Sequence, residues 1–260
     1  MDSEASAGYW IAYLDAVRSS PVWQQAKADS VDLLRLGPGQ RGLDVGCGTG
    51  EEVAAMGELV GDGGAAVGVD LAKTMVGEAQ SRHGSRDLRV WFSAADAGRL
   101  PFADGAFDAC RVERTLQHSD DADAVVAEMA RVLRPGGRLV AVEPDWDTLA
   151  FDTPLAHINR RIYRDVLDRA PSRVIGRRLS AVLGRAGMGG IEVRGWVVCF
   201  TTYAHAQRAL TLEALAQASV RAGVVSQAEA TSWLDSLRRA DSEGAFFASL
   251  TMFTVSGTKA

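Results

Sequence analysis

The sequence predicts an α/β fold built on a mostly parallel, doubly wound sheet. Three observations lead there. From Leu43 onward, short apolar runs alternate with helical stretches. A glycine-rich turn, Gly46 to Gly50, stands where the first apolar run gives way to a helix. Acids then follow at strand ends, Asp70 after the second run and Asp96 after the third, on the edge where open parallel sheets carry their sites.

Before the alternation, residues 8–36 read as helical. Trp10, Tyr13, Leu14 and Val17 share one stripe, and Val31, Leu34 and Leu36 follow in a second segment before Gly37-Pro38-Gly39 breaks the chain. Strands are expected over 42–46, 65–70, 88–94, 107–112 and 138–143, with helices around 50–60, 72–82 and 121–134. The last of these helices opens at Asp120-Asp121 and closes at Pro135-Gly136-Gly137. After Pro144 the alternation is interrupted. Helices are expected at 155–170, 177–187, 204–222 and 227–240, and strands at 191–200 and 246–257. Ser226 and Glu229 read as a capping box. The expected organisation is an N-terminal helical cap over 1–36 and a sheet domain over 37–260. Helical insertions near 150–175 and 203–242 would cover one edge of the sheet.

Composition narrows the function classes. The chain has 260 residues, 47% of them hydrophobic, and a net charge of −5, enough apolar material for a sizeable core. A phosphate-backbone binder needs a basic excess, which is missing, so no nucleic-acid partner is expected. Cys47, Cys110 and Cys199 are odd in number and scattered, which argues against a disulfide framework or zinc site and fits a reducing cytoplasm. No apolar run reaches membrane-spanning length, and the acidic Met1-Asp2-Ser3-Glu4 start lacks a signal-peptide pattern. A soluble cytoplasmic protein, a monomer or homodimer with no membrane partner and no metal, is therefore expected.

The glycine turn reads Leu43-Asp44-Val45-Gly46-Cys47-Gly48-Thr49-Gly50-Glu51. Glycines at alternate positions let the backbone approach a ligand closely. Twenty residues after Gly50, Asp70 ends Val67-Gly68-Val69-Asp70 and is placed to accept from both hydroxyls of a ribose. The spacing is GxGxG rather than the dinucleotide GxGxxG, which disfavours a nicotinamide-dependent oxidoreductase. Glu51 and Glu52 follow directly and would repel a pyrophosphate at that helix start. They are tolerable beside a ligand carrying an ammonium and a sulfonium.

Over roughly residues 40–145 the chain resembles the class I S-adenosylmethionine-dependent methyltransferases, in their small-molecule branch. LDVGCGTG at 43–50, VGVDLAKTM at 67–75, AADAGRLPFADGAFD at 94–108 and ARVLRPGGRL at 130–139 occur in that order. The resemblance implies a Rossmann-like, seven-stranded sheet with an antiparallel last strand. It implies S-adenosyl-L-methionine as cofactor and S-adenosylhomocysteine as product. Gly46, Cys47, Gly48 and Gly50 would line the cofactor, and Asp44 would lie near its ammonium through water. Asp70 would hold the ribose diol, and Leu71 and Met75 would contact adenine or ribose. Asp96 would accept from the adenine amino group, with Ala97 supplying a backbone N–H. Residues 113–118, Glu113 and His118 included, would pass the methyl-donating end. For Cys47 the simpler reading is a small residue that fits the loop; Met75 reads equally well as helix core.

Methyl transfer is an in-line displacement from an already reactive donor, so alignment and water exclusion dominate. His118 is the best single base, because an imidazole suits proton transfer near neutrality; packing against the cofactor loop is the simpler reading. Glu143 and Asp145 follow the fifth strand as substrate contacts, a paired-carboxylate site or a cation site, or else as a polar end facing solvent. Trp146, Trp10 and Tyr13 are candidates to line the substrate pocket, and packing explains them equally well. Arg160, Arg161, Arg164, Arg169, Arg173, Arg177 and Arg178 read as a solvated helix face in preference to an anion clamp. An Asn/Asp-Pro-Pro-aromatic motif, which marks nucleobase amino methylation, is missing after the fourth strand, and only one of the two glutamates of the protein-arginine branch is present. A small-molecule acceptor is expected, on oxygen before carbon or nitrogen, in a secondary-metabolism setting. The alternatives keep the cofactor pocket without methyl transfer: a guided cyclisation, or a nucleotide-binding module.

Overall fold

The computed structural model describes residues 8, 10–15, 21–84, 89–168 and 172–260. Its sheet has seven strands: β1 (Arg41–Val45), β2 (Ala65–Asp70), β3 (Val90–Ala94), β4 (Phe107–Glu113), β5 (Leu133–Phe151), β6 (Met188–Phe200) and β7 (Ala248–Lys259). Their order is β3-β2-β1-β4-β5-β7-β6. The first five pair in parallel. β7 runs antiparallel to both β5 and β6. The order reverses beside β1, which places the ends of β1 and β4 at the switch point where such sheets bind ligands.

Residues 10–15 are helical (α1), followed by α2 (Pro21–Asp32), α3 (Glu51–Val60), α4 (Lys73–His83), α5 (Ala122–Val132), α6 (Ala156–Asp168), α7 (Ile175–Arg185), α8 (Tyr203–Leu210), α9 (Leu212–Arg221) and α10 (Gln227–Ser242). Strand alternation sorts the core onto two faces. Leu43, Val45, Cys110, Val112, Leu139 and Ala141 pack with Val126 and Met129 of α5 and Leu179 and Val182 of α7. Ala109, Val140 and Val142 face the other way, with Met56 of α3, Ile162 of α6 and Trp233 of α10. A strand buried on both faces loses the polar–apolar alternation of a solvated one, which is why Leu139-Val140-Ala141-Val142 in β5 reads as a continuous apolar run.

Local chemistry sets the helix starts. The Asp121 side chain accepts from Ala124 N at α5, and Ser226 with Glu229 forms a complete capping box at α10. Three expectations are corrected. The segment 204–222 is two helices, because Thr211 takes a left-handed φ of 52° between α8 and α9. The fifth strand extends well beyond 138–143, since β4 pairs with Leu133 and β7 with Phe151. The N-terminal helical run ends at Asp32, short of Leu36. Val17 and Arg169 lie outside the described residues, as do the side chains of Val166 and Leu167.

Candidate functional site

At the carboxyl ends of β1 and β2, Gly46 N and Cys47 N both donate to Val69 O, at 2.7 and 2.9 Å. This draws the glycine loop over the end of β2. Gly46, Gly48 and Gly50 have φ of 73°, 53° and 88°, the region side chains avoid. Space also forbids a Cβ: at Gly46 it would lie 2.1 Å from Thr115 Oγ1, and at Gly50 2.7 Å from Phe92 Cε1. Asp70 is tied to the loop. Its Oδ2 accepts from Gly48 N at 3.0 Å and its Oδ1 from Ala72 N at 2.9 Å. Each carboxylate oxygen retains a second acceptor position. Leu71, next in the chain, is 68% exposed. Asp96 stays at the surface, its Oδ1 accepting from Gly98 N at 2.8 Å, with Ala97 in the same turn. Met75 is buried in α4, as helix core, and the Cys47 thiol is buried, which pushes its pKa up.

Behind the loop lies a network of buried charge. Asp44 and Arg111 are register partners on β1 and β4, so both project toward α2. Arg111 Nη1 donates to Asp44 Oδ1 at 3.1 Å, Nε donates to Ser30 Oγ at 2.9 Å, and Nη2 donates to Glu113. Lys27 reaches Glu52 at 2.6 Å and Glu113 at 3.5 Å. Burial raises the Asp44 pKa to about 6 against the opposing pull of Arg111. Burial pushes Glu113 the same way, but Lys27, Arg111 and Arg114 outweigh it and bring its pKa down to about 2. Glu52 pairs with Lys27, and Glu51 with Arg82 at 2.9 Å.

The segment after β4 is held from β5. Glu143 is fully buried, and its Oε1 accepts from Thr115 N at 2.8 Å and Leu116 N at 2.7 Å. Burial raises its pKa to about 8, against the stabilising backbone N–H groups of Leu116, Thr115 and Gln117. Trp146 Nε1 donates to Gln117 Oε1 at 2.7 Å, and Gln117 Nε2 donates to Arg114 O at 3.0 Å. Asp145 is buried and paired with Arg177, and Asp147 lies 3.3 Å from Arg173. Glu143 and Asp145 therefore neither face solvent nor present a free carboxylate pair; both readings are corrected, because backbone N–H groups hold Glu143 Oε1 and Arg177 holds Asp145. Trp146 likewise fastens β5 to this segment. His118 ends the short 3₁₀ turn Leu116–His118 with its side chain still exposed. Partial desolvation, then the Arg114 charge, lowers its pKa.

Trp10 and Tyr13 sit on α1 with their rings edge to face at 5.5 Å. Tyr13 Oη donates to Ala209 O at 3.3 Å and accepts from Arg114 Nη1 at 3.1 Å. The cavity beside the glycine loop is lined by Leu14, Lys27, Asp44, Gly46, Gly48 and Arg114, among others.

A family model described as a methyltransferase domain matches residues 43–141. The chain is 34% identical over 246 residues to an uncharacterized 37.1 kDa protein in transposon TN4556 of Streptomyces fradiae, covering 94% of this chain and 70% of that one. It is 37% identical over 152 residues to a demethylmenaquinone methyltransferase of Mycobacterium marinum, covering 58% of each. The chain belongs to the class I S-adenosylmethionine-dependent methyltransferases. Among solved structures, the YcgJ protein of Bacillus subtilis superposes with a TM-score of 0.63 at 20% identity, over 91% of this chain and 98% of that one. SpnF, a 4+2 cyclase, superposes with a TM-score of 0.54 at 22% identity, over 91% and 80%. Those two likenesses concern the methyltransferase fold alone.

S-adenosylmethionine is the cofactor of this methyltransferase family, and the residues present fit it. A cradle that no Cβ could enter adjoins a ribose-competent acid and an exposed leucine. Sequence reasoning missed Lys27, and it placed Arg114, Thr115 and Gln117 in the segment after β4 without giving them, or Arg111, a role of their own. One signal was available: Cys110-Arg111-Val112-Glu113 puts two charges at the carboxyl end of β4, with Arg111 across from Asp44.

Proposed function

We propose that the chain transfers a methyl group from S-adenosylmethionine to a small acceptor, on oxygen before carbon or nitrogen. The observation that carries this reading is the link between the glycine loop and Asp70 through Gly48 N. In it, Asp70 holds the ribose hydroxyls, Leu71 and Ala97 flank the adenine, and Asp96 accepts from its amino group. The Gly46–Gly48 backbone and the network around Asp44 receive the methionine end. The cofactor supplies an electrophilic methyl: the acceptor's lone pair forms the new bond as the S–CH3 pair returns to sulfur. What the chain contributes is alignment and exclusion of water. With a lowered pKa, His118 is neutral near pH 7 and able to take the acceptor's proton.

S-adenosylhomocysteine formation with matched phenols, carboxylic acids and amines tests the proposal, and turnover is expected first among the oxygen acceptors. Tight cofactor binding with no methylated product from any class would favour cyclisation or a binding module, for which SpnF shows that a shared fold is no obstacle. His118→Ala is expected to lower turnover by ~10²-fold or more at pH 7. Near-normal turnover would remove its role as base.

A further inference from the structure

We propose that Arg114, walled by Trp23 and Tyr13, is the seat for a carboxylate carried by the acceptor; the inference rests on the methyl-transfer reading above. Arg114 is the first residue after β4 and takes a left-handed φ of 50°. Such a conformation is strained for a residue with a side chain, and strain of this kind collects at ligand sites. It is held on both sides: Arg114 N donates to Val142 O at 2.9 Å, and Gln117 Nε2 donates to Arg114 O.

The twist delivers the guanidinium into an aromatic corner. Its Cζ lies 5.0 Å from the Trp23 ring centroid and 5.6 Å from that of Tyr13. The side chain is only 12% exposed. A guanidinium has five N–H donors, yet among the described residues this one makes a single side-chain hydrogen bond, to the neutral Tyr13 hydroxyl. Its Nε is buried without a hydrogen-bond partner. Glu113 Oε1 lies 3.5 Å from that Nε, an ion pair beyond good hydrogen-bond distance, while Arg111 and Lys27 engage the other oxygen, Oε2. Trp23 is 4% exposed, and its Nε1 also has no partner among the described residues. Among the described residues, Trp23 Nε1 and Arg114 Nη2 thus stand without an acceptor in the same corner. Buried donors are nearly always paired in folded proteins, so a pair left open needs an acceptor from elsewhere.

The corner adjoins the place of reaction. Arg114 lines the same cavity as Gly46 and Gly48, and Thr115, its neighbour, packs against Gly46. A carboxylate matches the planar fork of arginine, and flanking aromatic rings suit a flat body attached to it. The Tyr13 hydroxyl then serves as the placeholder that the acceptor's oxygen displaces.

The test uses the full chain saturated with S-adenosylhomocysteine, titrated calorimetrically with benzoate and with the neutral isostere benzamide. Benzoate is expected to bind about 10- to 100-fold more tightly, the span of a charge-assisted hydrogen bond. Arg114→Gln should erase that preference when both ligands are titrated at saturating S-adenosylhomocysteine. Arg114→Lys should keep part of it, and Trp23→Phe, which retains a ring but loses the N–H, should weaken benzoate about 3- to 10-fold. These two variants carry the test if Arg114→Gln does not fold. Equal binding of benzoate and benzamide by the wild type, or a preference that survives Arg114→Gln, overturns the proposal. So does a loss of S-adenosylhomocysteine affinity in Arg114→Gln with unchanged binding of 5′-methylthioadenosine, which lacks the carboxylate; the anion would then be the cofactor's own. Failure of the wild type to bind S-adenosylhomocysteine at all would instead sink the methyl-transfer reading.

Discussion

Asp70 accepts one backbone N–H on each oxygen, from Gly48 and Ala72, so one carboxylate both shapes the glycine loop and faces the ribose. Asp70→Ala removes both functions and is expected to weaken S-adenosylhomocysteine binding by roughly 1–3 kcal/mol, about 5- to 150-fold by calorimetry. An unchanged affinity would remove the ribose assignment. Glu143 offers a different test, because its role is internal. Burial raises its pKa from an ordinary 4.5 to about 8, so the folded chain holds the proton more tightly than the unfolded chain does. The associated stability is fully present below pH 4.5 and is lost as pH rises through about 8. Glu143→Gln keeps an acceptor for Thr115 N and Leu116 N but cannot ionise. Its melting temperature relative to wild type should therefore improve steadily from pH 5 to pH 9. A gap that stays constant across that range would show that Glu143 is ionised at both ends.

At the scale of elements, the legible features were those written in local chemistry. Ser226 with Glu229 announced α10 because a capping box needs only four residues. Ser226→Ala should cost about 1 kcal/mol, read from denaturant midpoints at unchanged slope; a shift within error would show that packing of Trp233 and Leu237 alone fixes that helix start. The glycine loop, Asp70 and Asp96 were legible for the same reason: each marks a strand end by sequence spacing. Features set by distant partners were not. Thr211 breaks 204–222 into two helices although nothing around Ala209-Leu210-Thr211-Leu212 is a breaker. β5 runs past its apolar run because β7, a hundred residues later, supplies partners up to Phe151. Glu143 and Asp145 looked available for a ligand because the N–H groups of Thr115 and Leu116 and the guanidinium of Arg177 meet them only in three dimensions.

For the whole molecule, the question is how a cofactor reaches its cradle. α1 joins three separate parts of the fold. Leu14 lies over the glycine loop, with its Cδ1 3.1 Å from where a Gly48 Cβ would stand. Tyr13 bonds to Ala209 on α8. Asp15 is paired with Arg82 of α4 through two hydrogen bonds, at 2.7 and 3.1 Å, and Arg82 also holds Glu51 at the start of α3. The cavity beneath measures ≈50 Å³, and Leu14 lines it together with Gly46 and Gly48. Leu14 thus covers part of the cradle, and the Asp15–Arg82 pair holds α1 in that position from the rim. A partly exposed pair contributes only about 0.2–1 kcal/mol to stability, so its main effect should be kinetic. Asp15→Asn is expected to shift the melting temperature by no more than about 3 °C. The same change should speed S-adenosylhomocysteine release about two- to fivefold in a stopped-flow displacement experiment. If release is as slow as in wild type while the pair is broken, α1 does not gate the site and the cofactor leaves past Leu71 and Asp96 instead.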